Sequence, residues 1–183
     1  LFQNMRQVGI APNILTFSSL MKACSSIGDI HESLYIHDEF LRSHAASDPV
    51  IEGALVDMYA KCGGTREARK AFDDIPKPDI VSWGAMITGY AQNEQGELAL
   101  EIYDQMEREG VKPNQIILPC LLKSCGNIRN LEQGRRIHRK MAEEGWVEYD
   151  IVVGSTLVDM YAKCEKPEAT HRVFQMLPER NIV

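Results

Sequence analysis

Apolar residues return along this chain at the spacing of a helix. Within residues 49–79, Leu55, Met58, Tyr59 and Cys62 fall on one stripe, and after Gly63 and Gly64 a second stripe follows at Ala68, Ala71, Phe72 and Ile75. A 3.6-residue period predicts an amphipathic helix, so the segment reads as two helices joined by a glycine turn. Pro76 and Pro78 stop the second of them, because proline lacks the amide hydrogen that a helix interior needs. Residues 80–114 repeat the pattern, with Leu98, Ala99, Ile102, Tyr103 and Met106 on a second helix that Gly110 and Pro113 end. Asp29 with Glu32, and Asn130 with Gln133, have capping-box spacing and mark the starts of two further second helices. No segment alternates apolar and polar residues in the manner of a strand, so the expected class is all-α.

The pattern repeats at long range. Leu55-Val-Asp-Met-Tyr-Ala-Lys-Cys62 recurs identically as Leu157-Val-Asp-Met-Tyr-Ala-Lys-Cys164, 102 residues on, and Ile80-Val81 recurs as Ile182-Val183 at the same offset. Leu20-Met-Lys-Ala-Cys24 aligns with Leu121-Leu-Lys-Ser-Cys125, and Ile36-His37 with Ile137-His138, each 101 residues apart. The change from 101 to 102 puts one extra residue near Glu148. A fixed long period means a repeat array. The superperiod divides into repeats at Ile14–Asp48, Pro49–Asp79, Ile80–Asn114, Gln115–Asp150 and Ile151–Asn181, of 35, 31, 35, 36 and 31 residues. Residues 1–13 are the end of a preceding repeat, and 182–183 begin the next. A lone helical hairpin cannot bury its apolar face, so stacked neighbours must share one core.

Composition narrows the function. The net charge of −6 runs against nucleic-acid binding, whose usual footprint is basic, although net charge does not say which face carries it. Five cysteines, Cys24, Cys62, Cys120, Cys125 and Cys164, form no CxxC pair and fit a reducing compartment better than a disulfide framework. No apolar run approaches the roughly 18 residues of a membrane helix. The chain opens on Leu1 and closes in mid-pattern, which we read as a piece of a longer protein whose targeting signal is not in view.

The motifs resemble those of a known family. Val81-Ser-Trp-Gly-Ala-Met-Ile-Thr-Gly-Tyr-Ala-Gln-Asn93 with Gly110-Val-Lys-Pro-Asn114 looks like a standard pentatricopeptide motif; Thr16-Phe-Ser-Ser-Leu-Met-Lys-Ala-Cys24 looks like a long one; Ala54-Leu-Val-Asp-Met-Tyr-Ala-Lys-Cys-Gly63 with Ala68-Arg-Lys-Ala-Phe72 looks like a short one. Across the chain this is similar to the plant pentatricopeptide class of alternating standard, long and short motifs. Residues 14–48 and 115–150 are then long repeats, 49–79 and 151–181 short, and 80–114 standard. The resemblance implies a right-handed α-solenoid that binds single-stranded RNA at about one nucleotide per repeat. It further implies a site-recognition role in cytidine-to-uridine editing in a mitochondrion or chloroplast.

In that family the fifth and last residues of a motif read the base, and the second packs on it. Carried over, the readers are Gly53 with Asp79, Gly84 with Asn114, and Ser155 with Asn181. In the long motifs they are Ser18 with Asp48, and Pro119 with Asp150. The packing residues are Val50, Val81 and Val152. Serine with asparagine resembles an adenine reader. Gly53 and Gly84 depart from the pattern because they have no side chain at the reading place; Asp79 alone favours the donor edge of guanine or uracil. Lys61 and Lys163 hold a phosphate-contacting position, while Asp57 and Asp159 stand i,i+4 from them and offer an ordinary intrahelical ion pair.

Other features have plainer readings. Arg135, Arg136, Arg139 and Lys140, followed at i+4 by Glu143 and Glu144, read as a solvated second-helix face. His37-Asp38-Glu39 and Pro119-Cys120 suggest a zinc deaminase, but the next cysteine is Cys125, so the PCxxC spacing fails, and His37 recurs as His138 without its glutamate. Trp83 reads as core. We expect no enzyme activity, metal or cofactor from this stretch, and no membrane. Two rival functions stay open: a protein-interaction scaffold, with accessory editing proteins on the long motifs as a milder form of it, and RNA splicing or stabilisation.

Overall fold

The structure, a computed structural model, describes residues 2–7, 9–43, 48–145 and 151–177, and its elements are all α-helices. They are α1 (Phe2–Gln7), α2 (Ile14–Ile27), α3 (Ile30–Arg42), α4 (Pro49–Lys61), α5 (Thr65–Asp73), α6 (Ile80–Gln92), α7 (Gly96–Arg108), α8 (Ile117–Asn127), α9 (Leu131–Glu143), α10 (Ile151–Lys163) and α11 (Pro167–Met176). None of them is long and apolar enough to cross a membrane. From α2 onward we call the even-numbered helices first helices and the odd-numbered ones second helices, after their order along the chain.

The turn between each first helix and the second helix after it has the same backbone. Counted from the repeat starts given above, its fifteenth residue is left-handed: Gly28 and Gly63 at φ 75° and 79°, then Glu94, Arg129 and Glu165 at 60°, 55° and 59°. The last three adopt a conformation in which a Cβ crowds the following carbonyl. At the starts of α3 and α9, Asp29 and Asn130 cap as expected, through bonds from the Glu32 and Gln133 backbone amides. The reciprocal box closes elsewhere, at Asn13 and Thr16; the Gln133 side chain instead accepts from Arg136.

The chain divides into two compact units, Leu1–Gly89 and Tyr90–Val183. In the first, α4 packs on α2 and on α5. Phe2, Phe17 and Phe40 form an edge-to-face chain with centroids 6.0 and 5.3 Å apart. Trp83 is fully buried 4.7 Å from the Phe72 ring, as its reading as core requires, though its indole Nε1 has no hydrogen-bond partner. At Gly89 the helices touch closely: an added Cβ would lie 2.3 Å from that of Ala60.

In the second unit α8 packs on α7, α9 and α10, and α10 on α11. Leu121, Leu122, Cys125, Ile137, Met141, Leu157 and Met160 are buried there. Burial pushes the Cys125 thiol up to about 12, so the residue behaves as a small apolar side chain.

Candidate nucleic-acid interface

Charge separates by helix type. The first helices carry only four lysines, Lys22, Lys61, Lys123 and Lys163, and three carboxylates, Glu52, Asp57 and Asp159; α6 has no charge at all. The acidic excess of the chain therefore belongs to the second helices and the connections, and does not weigh against RNA on the first helices.

The second residue of each repeat is exposed. Val50, Val81 and Val152 are 65, 63 and 62% accessible, and Leu15 and Ile116, at the corresponding places where α2 and α8 start, are 72 and 67% accessible. Folding leaves a large aliphatic side chain bare at the start of every first helix. Leu15 and Ile116 share the exposure of the three valines, and their place in the repeat register was the signal that could have found them.

The side chains of Asp48, Asp79 and Asn114 accept amides at the start of the next first helix; Asp48 is the N-cap of α4, whereas Asn114 stands two residues before the N-cap of α8, Ile116. Asp48 Oδ1 accepts from the Ile51 amide at 2.9 Å. Asn114 Oδ1 accepts from Ile116 and Ile117 at 3.0 and 3.1 Å. Asp79 Oδ1 takes the amides of Val81 and Ser82, at 3.1 and 2.9 Å, and the Ser82 hydroxyl at 2.9 Å. A short polar side chain directly before an apolar helix is a capping signal, and sequence reasoning assigned these residues to base reading alone. The two roles are compatible, since the described bonds engage Oδ1 and leave the second oxygen of each aspartate and the Asn114 amide nitrogen.

Gly53, Ser82 and Val81 come together, and the Ser82 hydroxyl is in turn bonded to Asp79. A Cβ on Gly53 would stand 3.6 Å from Ser82 Oγ and 3.8 Å from Val81 Cγ1. Gly53 thus lies beside the exposed valine and the serine that follow Asp79.

Models of this repeat match the chain. One described as PPR repeat matches residues 15–44 and 53–78, a PPR repeat family model matches 78–127, and a pentatricopeptide repeat domain model matches 1–26. The chain belongs to the pentatricopeptide repeat family. A mitochondrial pentatricopeptide repeat-containing protein of Arabidopsis thaliana is 34% identical over 183 residues, covering 100% of this chain and 26% of that protein. A chloroplastic one is 35% identical over 183 residues, covering 100% and 30%. The chain spans about a quarter of the length of the curated relatives it matches. Among solved structures, maize PPR10 in complex with an 18-nt psaJ RNA element superposes with a TM-score of 0.75 at 23% identity, over 95% of this chain and 26% of that one. The PPR domain of Arabidopsis thaliana protein-only RNase P 1, in complex with tRNA, gives 0.70 at 13% identity, over 88% and 86%. These two likenesses show the pentatricopeptide fold.

The remaining residues divide between the faces of the repeats. Ser18 is buried, 8% accessible, so its pair presents Asp48 alone. Gly84 is half-buried and bare, and Pro119 half-buried. The exposed Ser155 donates its hydroxyl to the Ile151 carbonyl at 2.7 Å, and must turn to meet a base. Asn181 and Asp150 lie outside the described residues. Lys61 and Lys163 are exposed and form the intrahelical pairs with Asp57 and Asp159 at 2.8 and 2.7 Å. Lys163 also reaches Asn127 Oδ1 at 3.0 Å.

On the second helices, Lys140 ion-pairs with Glu107 of α7, in place of its i+4 neighbour Glu144, and Arg136 binds the same carboxylate and Asp104. The basic stretch is therefore partly docked on its neighbour, with Tyr103 beneath both cations and its hydroxyl donated to Glu107. Burial raises the Glu107 carboxyl, but hydrogen bonds from Lys140 and Tyr103 and the Arg136 charge outweigh it and hold the group below its ordinary range. His37 shares a hydrogen bond with Tyr59, which accounts for the recurring histidine without a metal.

Proposed function

We propose that these repeats bind single-stranded RNA along their first helices, about one nucleotide per repeat, as the recognition module of an organellar cytidine-to-uridine editing factor. The observation that carries this is the junction at Gly53: the exposed Val81 stands beside its missing Cβ, and Val81 and Ser82 both bond the Asp79 carboxylate. An unstacked base can lie on Val81 and offer its Watson–Crick edge to Asp79. The weakly charged first helices, with Lys61 and Lys163 at their ends, suit a strand whose phosphates need a few cations and whose bases need an apolar rest.

The fold supports the reading, since PPR10 of maize carries RNA on it. The mitochondrial and chloroplastic relatives support an organellar site of action. Editing is favoured by the 35, 31, 35, 36 and 31-residue spacing, which resembles the alternating-motif class. On this reading the long repeats at 14–48 and 115–150 also dock accessory proteins, and the chemistry belongs to another domain or to a partner; we assign no catalytic residue here.

The test is selection from a random single-stranded RNA pool by the intact protein at low and moderate salt. Enrichment of one motif, with guanine or uracil opposite repeat 49–79 and adenine opposite 151–181, is the expected result. Retention no better than that of a charge-scrambled control, at either salt, would overturn the reading and leave protein interaction as the function.

A further inference from the structure

We infer that Ser82 is a positioning residue for base selection by repeat 49–79, an inference that rests on the RNA reading just proposed. Ser82 belongs to the next repeat and is buried, 2% accessible, so it cannot itself touch a base. Its hydroxyl donates to Asp79 Oδ1 at 2.9 Å, alongside the amides of Val81 and Ser82. Three donors converge on that one oxygen, and a carboxylate oxygen has two lone pairs. Asp79 Oδ1 is therefore fully engaged by its own helix, and Oδ2 is the oxygen presented as acceptor. With three bonds on Oδ1 the carboxylate plane cannot turn freely, so Oδ2 is aimed rather than averaged over orientations.

The neighbouring junctions differ. Asp48 is followed at the corresponding place by Ile51 and Asn114 by Ile117, so each is held by backbone amides alone. Thr16 repeats the arrangement at Asn13, its hydroxyl 3.0 Å from Asn13 Oδ1. The junctions thus fall into two kinds, hydroxyl-locked and amide-held. The lock also matters most where it stands: Gly53 supplies no fifth-position side chain, and the atom nearest its missing Cβ is Ser82 Oγ. At this repeat discrimination falls to Asp79 alone, and its aim decides how well the imino donor of uracil or guanine is told from the acceptor at the same place in cytosine or adenine.

The test measures the intact protein's affinity for four RNAs that differ only at the nucleotide facing repeat 49–79. Ser82→Ala is expected to reduce the preference for uracil and guanine about three- to tenfold, the size of one ordinary lost hydrogen bond. Ser82→Thr, which keeps the hydroxyl and places the residue type of Thr16 there, is expected to retain it. Ser82→Cys gives the same reading as Ser82→Ala with less change of volume, should the smaller residue unfold the chain. A merely structural serine would lower the melting temperature and affect the four RNAs equally. Full preference in Ser82→Ala and Ser82→Cys, together with loss of preference in Asp79→Asn, overturns the positioning role and leaves base reading by Asp79 standing. No change in any of these variants, Asp79→Asn included, removes Asp79 as a reader and this inference with it.

Discussion

His37 Nδ1 and the Tyr59 hydroxyl lie 2.7 Å apart, and the second copy of the pattern repeats the contact between His138 and Tyr161 at 2.9 Å. In both, a second helix is tied to the first helix that follows it: α3 to α4, and α9 to α10. Burial holds both imidazoles below the ordinary histidine value of 6.5. Around His37, the charges of Asp38 on its own helix and Asp74 after α5 oppose that shift without cancelling it. A histidine kept neutral in the folded state contributes stability that is full above the unfolded value and is lost as pH falls through the folded one. Urea unfolding is therefore expected to show stability declining as pH drops below 6.5. Tyr59→Phe at neutral pH is expected to cost about 1–3 kcal/mol by leaving the imidazole nitrogen unpaired. Equal stability at pH 7.5 and pH 5 would contradict the histidine account.

Glu107 joins α7 to α9 by accepting from Lys140, Arg136 and Tyr103. Its side chain is only 20% exposed, so Glu107→Gln is expected to cost about 1–3 kcal/mol. Arg139→Ala, on the exposed side of α9, should stay within about 0.5 kcal/mol of the parent. Because the folded Glu107 carboxyl sits below its ordinary 4.5, its contribution is complete above that value and disappears as pH falls through the folded one. Thermal melts of the two variants from pH 7 to pH 3 check this; equal losses from both would mean that the contact with Glu107 contributes nothing.

Two helical glycines should respond oppositely to a side chain. Gly53 has ordinary contact distances around its missing Cβ, the nearest at 3.6 Å, whereas at Gly89 a Cβ would lie 2.3 Å from Ala60 Cβ and 3.3 Å from its Cα. Gly89→Ala is expected to destabilise by roughly 1–3 kcal/mol through overpacking. Gly53→Ser should fold without loss and, if the RNA reading holds, sharpen selection at one nucleotide. Denaturant midpoints for the pair decide the packing, and binding to RNAs varied at that nucleotide decides the rest.

Lys61 and Lys163 make exposed i,i+4 pairs, which carry little stability. Changing either to glutamine should leave the melting point nearly unmoved. If each neutralises one phosphate, it should also flatten the dependence of log affinity on log salt by about 0.7. A slope identical to the parent's in both variants would assign these lysines to the intrahelical pairs alone.

The helical class, the turns between helices and the likeness to pentatricopeptide motifs could all be read along the chain, because periodicity, glycine turns and proline stops act over a few residues. A residue's place in its own repeat was legible for the same reason, and it marked Val50, Val81 and Val152 before their exposure was seen. Contacts between helices were not legible. His37 meets Tyr59 22 residues away and Lys140 meets Glu107 33 residues away, while the i+4 rule offered Lys140 a partner on its own helix. Helical periodicity tells which side of a helix is apolar; it does not tell how far one helix slides along another. That sliding buried Ser18, set Ser82 beside Gly53, and let the Ser82 hydroxyl join two amides on one oxygen of Asp79.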